Sequence, residues 1–221
     1  MNELAIETLL AQTHGGAEGS VTPPIYQSSL FTFDDFAAFE ARMSGQGSRT
    51  LYSRVQTPTA AAFEQMMARL ENGAAAVGFA SGMVAISSTI FALVRPGDRI
   101  ACIEHVYPDA YRLFEQMLRP WGVEITYHPM TAFNSDPDLL SGVRLAYLES
   151  PNSMMMQVMD LRRTAEHAKR HGTLTVVDNS WATPVFQRPL ELGIDLVLHS
   201  ASKYISEHSD TVRASSSRPM S

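Results

Sequence analysis

The sequence is poor in lysine. Of its 17 basic residues, all but Lys169 and Lys203 are arginine, so chemistry that needs a primary side-chain amine has only those two candidates. Cysteine is scarcer still. Cys102 stands alone, which excludes a disulfide framework within the chain and makes a reducing compartment, the cytoplasm, the expected location. No basic cluster appears, and a formal net charge of −6 offers little to nucleic acid or to an anionic membrane. No apolar run approaches the roughly 20 residues that span a bilayer. The opening MNELAIETLLAQTHGG lacks the basic-then-apolar order of a secretory signal. What is present is ordinary for a globular protein: 45% hydrophobic and 18% charged over 221 residues, enough for a sizeable core.

Residues 1–57 read as an extended arm that serves assembly. TPPIYQSSLFTF and MSGQGSRTLYSRVQTPT are rich in Pro, Gly and Ser, with one short helix, FDDFAAFEARM, between them. From Pro58 the character changes. PTAAAFEQMMARLENG predicts a helix opened by Pro and closed by Gly73. Short apolar runs then alternate with helical stretches, at 74–80, 99–105, 123–129, 143–150, 173–179 and 194–201. This is the βαβ pattern of a mostly parallel, buried sheet with helices on both faces, an α/β fold over residues 58–210. The tail 211–221 carries Ser, Arg and Pro without an apolar face and is expected to be disordered.

In an open α/β sheet, ligands bind outside the carboxyl ends of the strands. The first run ends in Ser81-Gly82-Met83 where a helix begins, and the second leads to Tyr107. The fourth ends in Glu149-Ser150-Pro151-Asn152-Ser153, the fifth in Asp178 and the sixth in His199-Ser200-Ala201-Ser202-Lys203. One rim thus gathers an anion-binding turn, an aromatic ring, a carboxylate, two hydroxyls and an amine. Pyridoxal 5'-phosphate (PLP) needs that set: a lysine to hold it covalently, an acid facing its pyridine nitrogen and donors for its phosphate. Lys203 and Asp178 end neighbouring strands and so reach one ring. Gly82 and Met83 at a helix start offer N–H groups and the positive end of the dipole. Ser200 and Ser202 add hydroxyls, and Tyr107 can stack on the ring. Taken alone, each has a plainer reading: Asp178 as an Asx turn or a helix cap, Ser81 as a helix cap, Lys169 as a surface charge near a helix end. MMMQVM reads as packing filler. His199 and His208 resemble metal ligands, but no second cluster completes a site and no metal is assigned.

YSRVQTPT, FASGMVAI, ESPNSMMMQVMDL, VVDNSWATP and HSASKYISEHSD, in this order, resemble successive motifs of the Cys/Met-metabolism PLP-dependent family. The likeness runs from about Thr22 to Asp210. It implies the large domain of PLP-dependent fold type I, aspartate-aminotransferase-like, and a carbon–sulfur lyase of trans-sulfuration and methionine biosynthesis. By position it makes Lys203 the covalent lysine and Asp178 the partner of the pyridine nitrogen. Gly82, Met83, Ser200 and Ser202 would bind phosphate, and Tyr107 would stack on the ring. Tyr52 and Arg54 would reach the phosphate of a neighbouring subunit, making a homo-oligomer, a dimer or tetramer. Ser153 would sit near the carboxylate of an amino-acid substrate, cystathionine or a similar thioether. Lys203, released by the substrate amine, would take the Cα proton, with Tyr107 or Tyr52 assisting, and homocysteine, pyruvate and ammonia would follow. Ser153-Met154 stands where many γ-acting members (cystathionine γ-synthase, cystathionine γ-lyase, methionine γ-lyase) carry Asn-Pro, which favours cystathionine β-lyase chemistry.

Two departures accompany the likeness. Glu207 occupies a position where the family usually has Gly, and VRASSSRPMS does not resemble the strand expected there. The expectation is a chain truncated after the lysine, without the C-terminal domain and without the strand between the first and sixth runs. An inactive fragment is then the alternative to an active lyase.

Overall fold

The computed structural model describes Ala5, Ile6, Thr8 and residues 19–219; most of the opening segment, and with it the reading of its signal character, lies outside the described residues, as do residues 220–221. The chain divides into two compact units, Met1–Met66 and Met67–Ser221. In the first unit, α1 (Phe36–Met43) is the short helix expected in the arm, and Asp35 caps it by accepting the Ala38 N–H at 2.7 Å. A single antiparallel bridge joins Leu30 to Tyr52. The helix predicted from Pro58 is α2 (Pro58–Leu70), and the division between units falls inside it.

The second unit holds the sheet. Its strands are β1 (Ala75–Phe79), β2 (Arg99–Ile103), β3 (Glu124–His128), β4 (Leu145–Glu149), β5 (Leu174–Asp178), β6 (Leu196–His199) and β7 (Ala214–Arg218). The order is β1-β7-β6-β5-β4-β2-β3. The pairs from β6 through β5, β4 and β2 to β3 are all parallel. Every residue of β4 is buried, as a strand covered on both faces requires. Its Tyr147 meets Phe114 edge to face at 5.1 Å in the core.

Helices connect the strands, three of them where helical spacing was expected and two short ones where it was not. Ser81 caps α3 (Gly82–Leu93), its hydroxyl accepting the Val84 N–H at 3.3 Å. Then come α4 (Pro108–Leu113), which widens into a π-helical turn at Phe114–Leu118, and α5 (Met130–Ser135). Asp160 caps α6 (Leu161–His171), and Gly172, at φ 67°, ends it in the left-handed conformation that glycine adopts without strain. Exposed Lys169 sits in its last turn, as expected of a surface cation. A short α7 (Thr183–Phe186) precedes β6.

The tail departs from expectation. Residues 214–218 are not disordered, and the position between β1 and β6 is not missing: β7 fills it, antiparallel to both. The reason is backbone chemistry. Two inner strands without a partner would bury unpaired N–H and C=O groups, and any chain, even ASSSR, can supply the ladder. The composition has a consequence, however. Ser215 and Ser217 are fully buried, and their hydroxyls have no partner among the described residues. Glu207, where glycine was expected, takes φ 61°, a region that a side chain occupies at a cost of roughly 1–2 kcal/mol.

Candidate active site

The carboxyl ends of β4, β5 and β6, the start of α3 and the loop before α4 surround one cleft of about 680 Å³. Lys203, Asp178, Tyr107, Gly82, Met83, Ser153, Ser200 and Ser202 all line it. The remaining two residues singled out from the sequence, Tyr52 and Arg54, belong to the first unit, where the Arg54 guanidinium lies 5.2 Å from the centre of the Tyr52 ring.

Asp178 closes β5 with its two oxygens in different roles. Oδ1 accepts the Ser180 N–H at 3.0 Å and the Ser180 hydroxyl at 2.5 Å, the Asx turn rather than the helix cap of its two plainer readings. Oδ2 has no partner among the described residues and is left to the cleft. Burial pushes the Asp178 carboxyl above the usual carboxylate range, opposed by the Ser180 hydrogen bonds and then by His199 and Lys203. Ser180 also accepts the Ser200 N–H at 2.6 Å, so one hydroxyl ties the ends of β5 and β6 together. At the end of β6, fully buried His199 pairs with fully buried Glu71 at 2.5 Å. Lys203 is exposed and lies on the connection from β6 to β7. That connection is closed at its base by Ser202 and Arg213, through an N–H···O bond of 3.1 Å and two bonds of the Ser202 hydroxyl at 2.8 and 3.1 Å.

Those bonds separate the two serines. A hydroxyl has one proton, and Ser202 gives its own to the Arg213 carbonyl. The Ser200 hydroxyl makes no such bond and stands beside Gly82. A Cβ on residue 82 would lie 3.0 Å from both Cβ and Oγ of Ser200, so glycine there keeps the start of α3 against the end of β6. Gly82 and Met83 carry the first amides of α3, which lack intrahelical acceptors and sit at the positive end of the helix dipole.

Glu149, at the end of β4, has a role that the sequence does not announce. Its carboxylate accepts the Tyr107 N–H at 2.8 Å, the Ser153 N–H at 3.1 Å and the Ser153 hydroxyl at 2.9 Å, joining the loops that follow β2 and β4. Burial first, and Asp178 second, push its carboxyl up to about 7. Ser153 therefore spends its hydroxyl proton on Glu149. The methionines also depart from their reading as filler: Met154, Met155 and Met156 are all exposed, and Met154 and Met156 line the cleft. Asn152 turns this segment outward, since its buried Oδ1 accepts the N–H groups of Met155 and Gln157. Trp181 and Tyr204, rings 6.4 Å apart, stand exposed at the rim.

The residues fit PLP on the structure's own terms. A carboxylate oxygen without a partner among the described residues faces a cleft that also holds a lysine, and helix amides lie beside the Ser200 hydroxyl, likewise without a partner among them, and a glycine that no side chain could replace without displacing Ser200. Fold and site together define the large domain of a PLP-dependent fold type I protein. The chain belongs to the Cys/Met metabolism PLP-dependent enzyme family, whose model matches residues 6–215. It is 39% identical over 200 residues to L-methionine gamma-lyase of Pseudomonas putida, covering 90% of this chain and 50% of that one. It is 38% identical over 205 residues to cystathionine beta-lyase of Bacillus subtilis, covering 91% and 49%. The crystal structure of cystathionine gamma synthase from Xanthomonas oryzae pv. oryzae in complex with cystathionine superposes with a TM-score of 0.89 at 33% identity, over 100% of this chain and 56% of that one. The chain thus spans about half the length of the curated relatives it matches.

Proposed function

We propose that this chain carries the cofactor-binding part of a PLP-dependent carbon–sulfur lyase that cleaves cystathionine, or a similar thioether amino acid, by β-elimination to homocysteine, pyruvate and ammonia. The observation that carries the reading is the cleft shared by Lys203 and Asp178. Lys203 would hold PLP covalently, and Asp178 would hold the proton of its ring nitrogen through Oδ2. Gly82, Met83 and Ser200 would bind the phosphate, and Ser202 would act indirectly by fixing the loop that bears Lys203. When bound, PLP supplies an electron sink for the charge left at the substrate's Cα. The Lys203 amine takes up the Cα proton at Nζ. Tyr107 presents its ring to the cleft, and Ser153, held by Glu149, stands near the substrate carboxylate. Tyr52 and Arg54 serve the phosphate of a neighbouring subunit, so the working unit is at least a dimer.

The relatives include both β- and γ-acting enzymes, and Ser153-Met154 is what favours β-chemistry here. The assay is direct. Purified chain with PLP, given cystathionine, should release pyruvate, and Lys203→Ala should release none. Release of 2-oxobutyrate instead would replace the β reading with a γ reading, and no keto acid from well-folded, PLP-loaded chain would refute lyase activity.

A further inference from the structure

Tyr107 is held at both ends. Its backbone N–H donates to Glu149 Oε1 at 2.8 Å, from the end of β4. Its hydroxyl donates to Asp109 Oδ2 at 2.8 Å, two residues along its own chain. The other oxygen of Asp109 pairs with Arg112 at 2.7 Å, one turn further into α4. Pro108 stands between tyrosine and acid at the first position of α4, fixing the backbone there. The acid is thus committed on both oxygens, to a phenol on one side and a guanidinium on the other. Tyr107 lines the cleft that Lys203 and Asp178 share.

We propose that Asp109 is a positioning residue for Tyr107: by accepting the hydroxyl proton it locks the ring in place as a neutral phenol, so that Tyr107 serves the cleft as a surface and leaves proton transfer at the substrate to Lys203. A carboxylate that accepts a phenol's hydrogen bond opposes loss of that proton, because the phenolate would face the carboxylate with no hydrogen between them. The surrounding charges act in the same sense, with one exception. The Asp109 hydrogen bond is the largest cause raising the phenol, followed by burial and by the negative charges of Asp109 and Asp178, while Arg112 opposes them. Glu149 faces the residue only on its backbone side, through the Tyr107 N–H. The family resemblance allows Tyr107 an acid–base role; the structure points to a ring whose hydroxyl is already engaged.

The consequence for catalysis rests on the function proposed above, but the geometry can be tested without it. Tyrosine labelled with carbon-13 at the ring Cζ, assigned with Tyr107→Phe, reports deprotonation of each phenol in the chain alone, with no PLP added. Arg112 is exposed and Asp109 half-buried, and circular dichroism checks that their variants fold. Asp109→Ala should move the Tyr107 titration to lower pH. Asp109→Asn, which keeps an acceptor but not the charge, should move it less. Arg112→Gln should move it to higher pH, a reversal that mere loosening of the loop would not give. An unchanged Tyr107 titration in Asp109→Ala, or a shift of the same sign in Arg112→Gln, would overturn the proposal. A chain that shows these shifts yet fails to bind PLP would keep the positioning role and sink the proposed function instead.

Discussion

Glu149 shows how much one buried carboxyl can decide. It sits 3% exposed at the cleft floor, accepts three hydrogen bonds and still has its proton affinity pushed up to about 7, because burial and Asp178 outweigh those bonds. The folded chain therefore binds a proton here that the unfolded chain has already released. The stabilisation is complete below the ordinary 4.5 and is lost as pH rises through about 7, and the difference corresponds to roughly 3 kcal/mol. Asp178 is raised as well and adds loss of the same sign. Urea melts at about pH 5 and about pH 8 should show the chain less stable at the higher value, and Glu149→Gln should remove most of that difference. Equal pH dependence in both proteins would mean that the carboxyl is not held as described. A lone Glu after a strand carries no sign of this in the sequence, because the effect needs Tyr107, Ser153 and Asp178 to converge from three different strand ends.

Among the elements, the six apolar strands and most helices were legible because two periodicities announce them. Continuous apolar runs such as LAYLE mark strands covered on both faces, and capped, glycine-terminated stretches such as LRRTAEHAKRH mark helices. The seventh strand was illegible, since nothing in ASSSR favours a buried strand. Its place comes from the unpaired edges of β1 and β6. It also bears on the site: Arg213, immediately before β7, closes the loop that carries Lys203. The weakness of this element is specific. An unsatisfied buried hydroxyl costs about 1–3 kcal/mol, so Ser215→Ala and Ser217→Ala should each stabilise the chain, by about 1 kcal/mol once strand propensity is discounted. For a chain of this size that is a rise of about 2–4 °C in Tm per substitution. A fall in Tm for both would show that those hydroxyls have partners after all.

For the whole molecule, the sequence placed eight of the ten expected site residues in what proves to be one cleft of the second unit, because strand ends in a parallel sheet all open on the same rim. What it could not show was division of labour among them. Ser200 and Ser202 look alike in HSASK, yet Arg213 occupies one hydroxyl and leaves the other; Asp178 is half Asx turn and half open acceptor. Such distinctions depend on partners far away in sequence. The central claim remains that an amine at 203 and an acid at 178 grip one cofactor. The shortage of lysine makes that claim unusually easy to test, because Lys169 is the only competing side chain. The chain is to be incubated with PLP, reduced with borohydride to fix the cofactor to whichever amine holds it, digested and analysed by mass spectrometry, with Asp178→Ala in parallel. The account predicts the added mass on the peptide containing Lys203, little on Lys169, and a marked loss of labelling in Asp178→Ala. Equal labelling of both lysines, or labelling of Lys203 indifferent to Asp178, would contradict it.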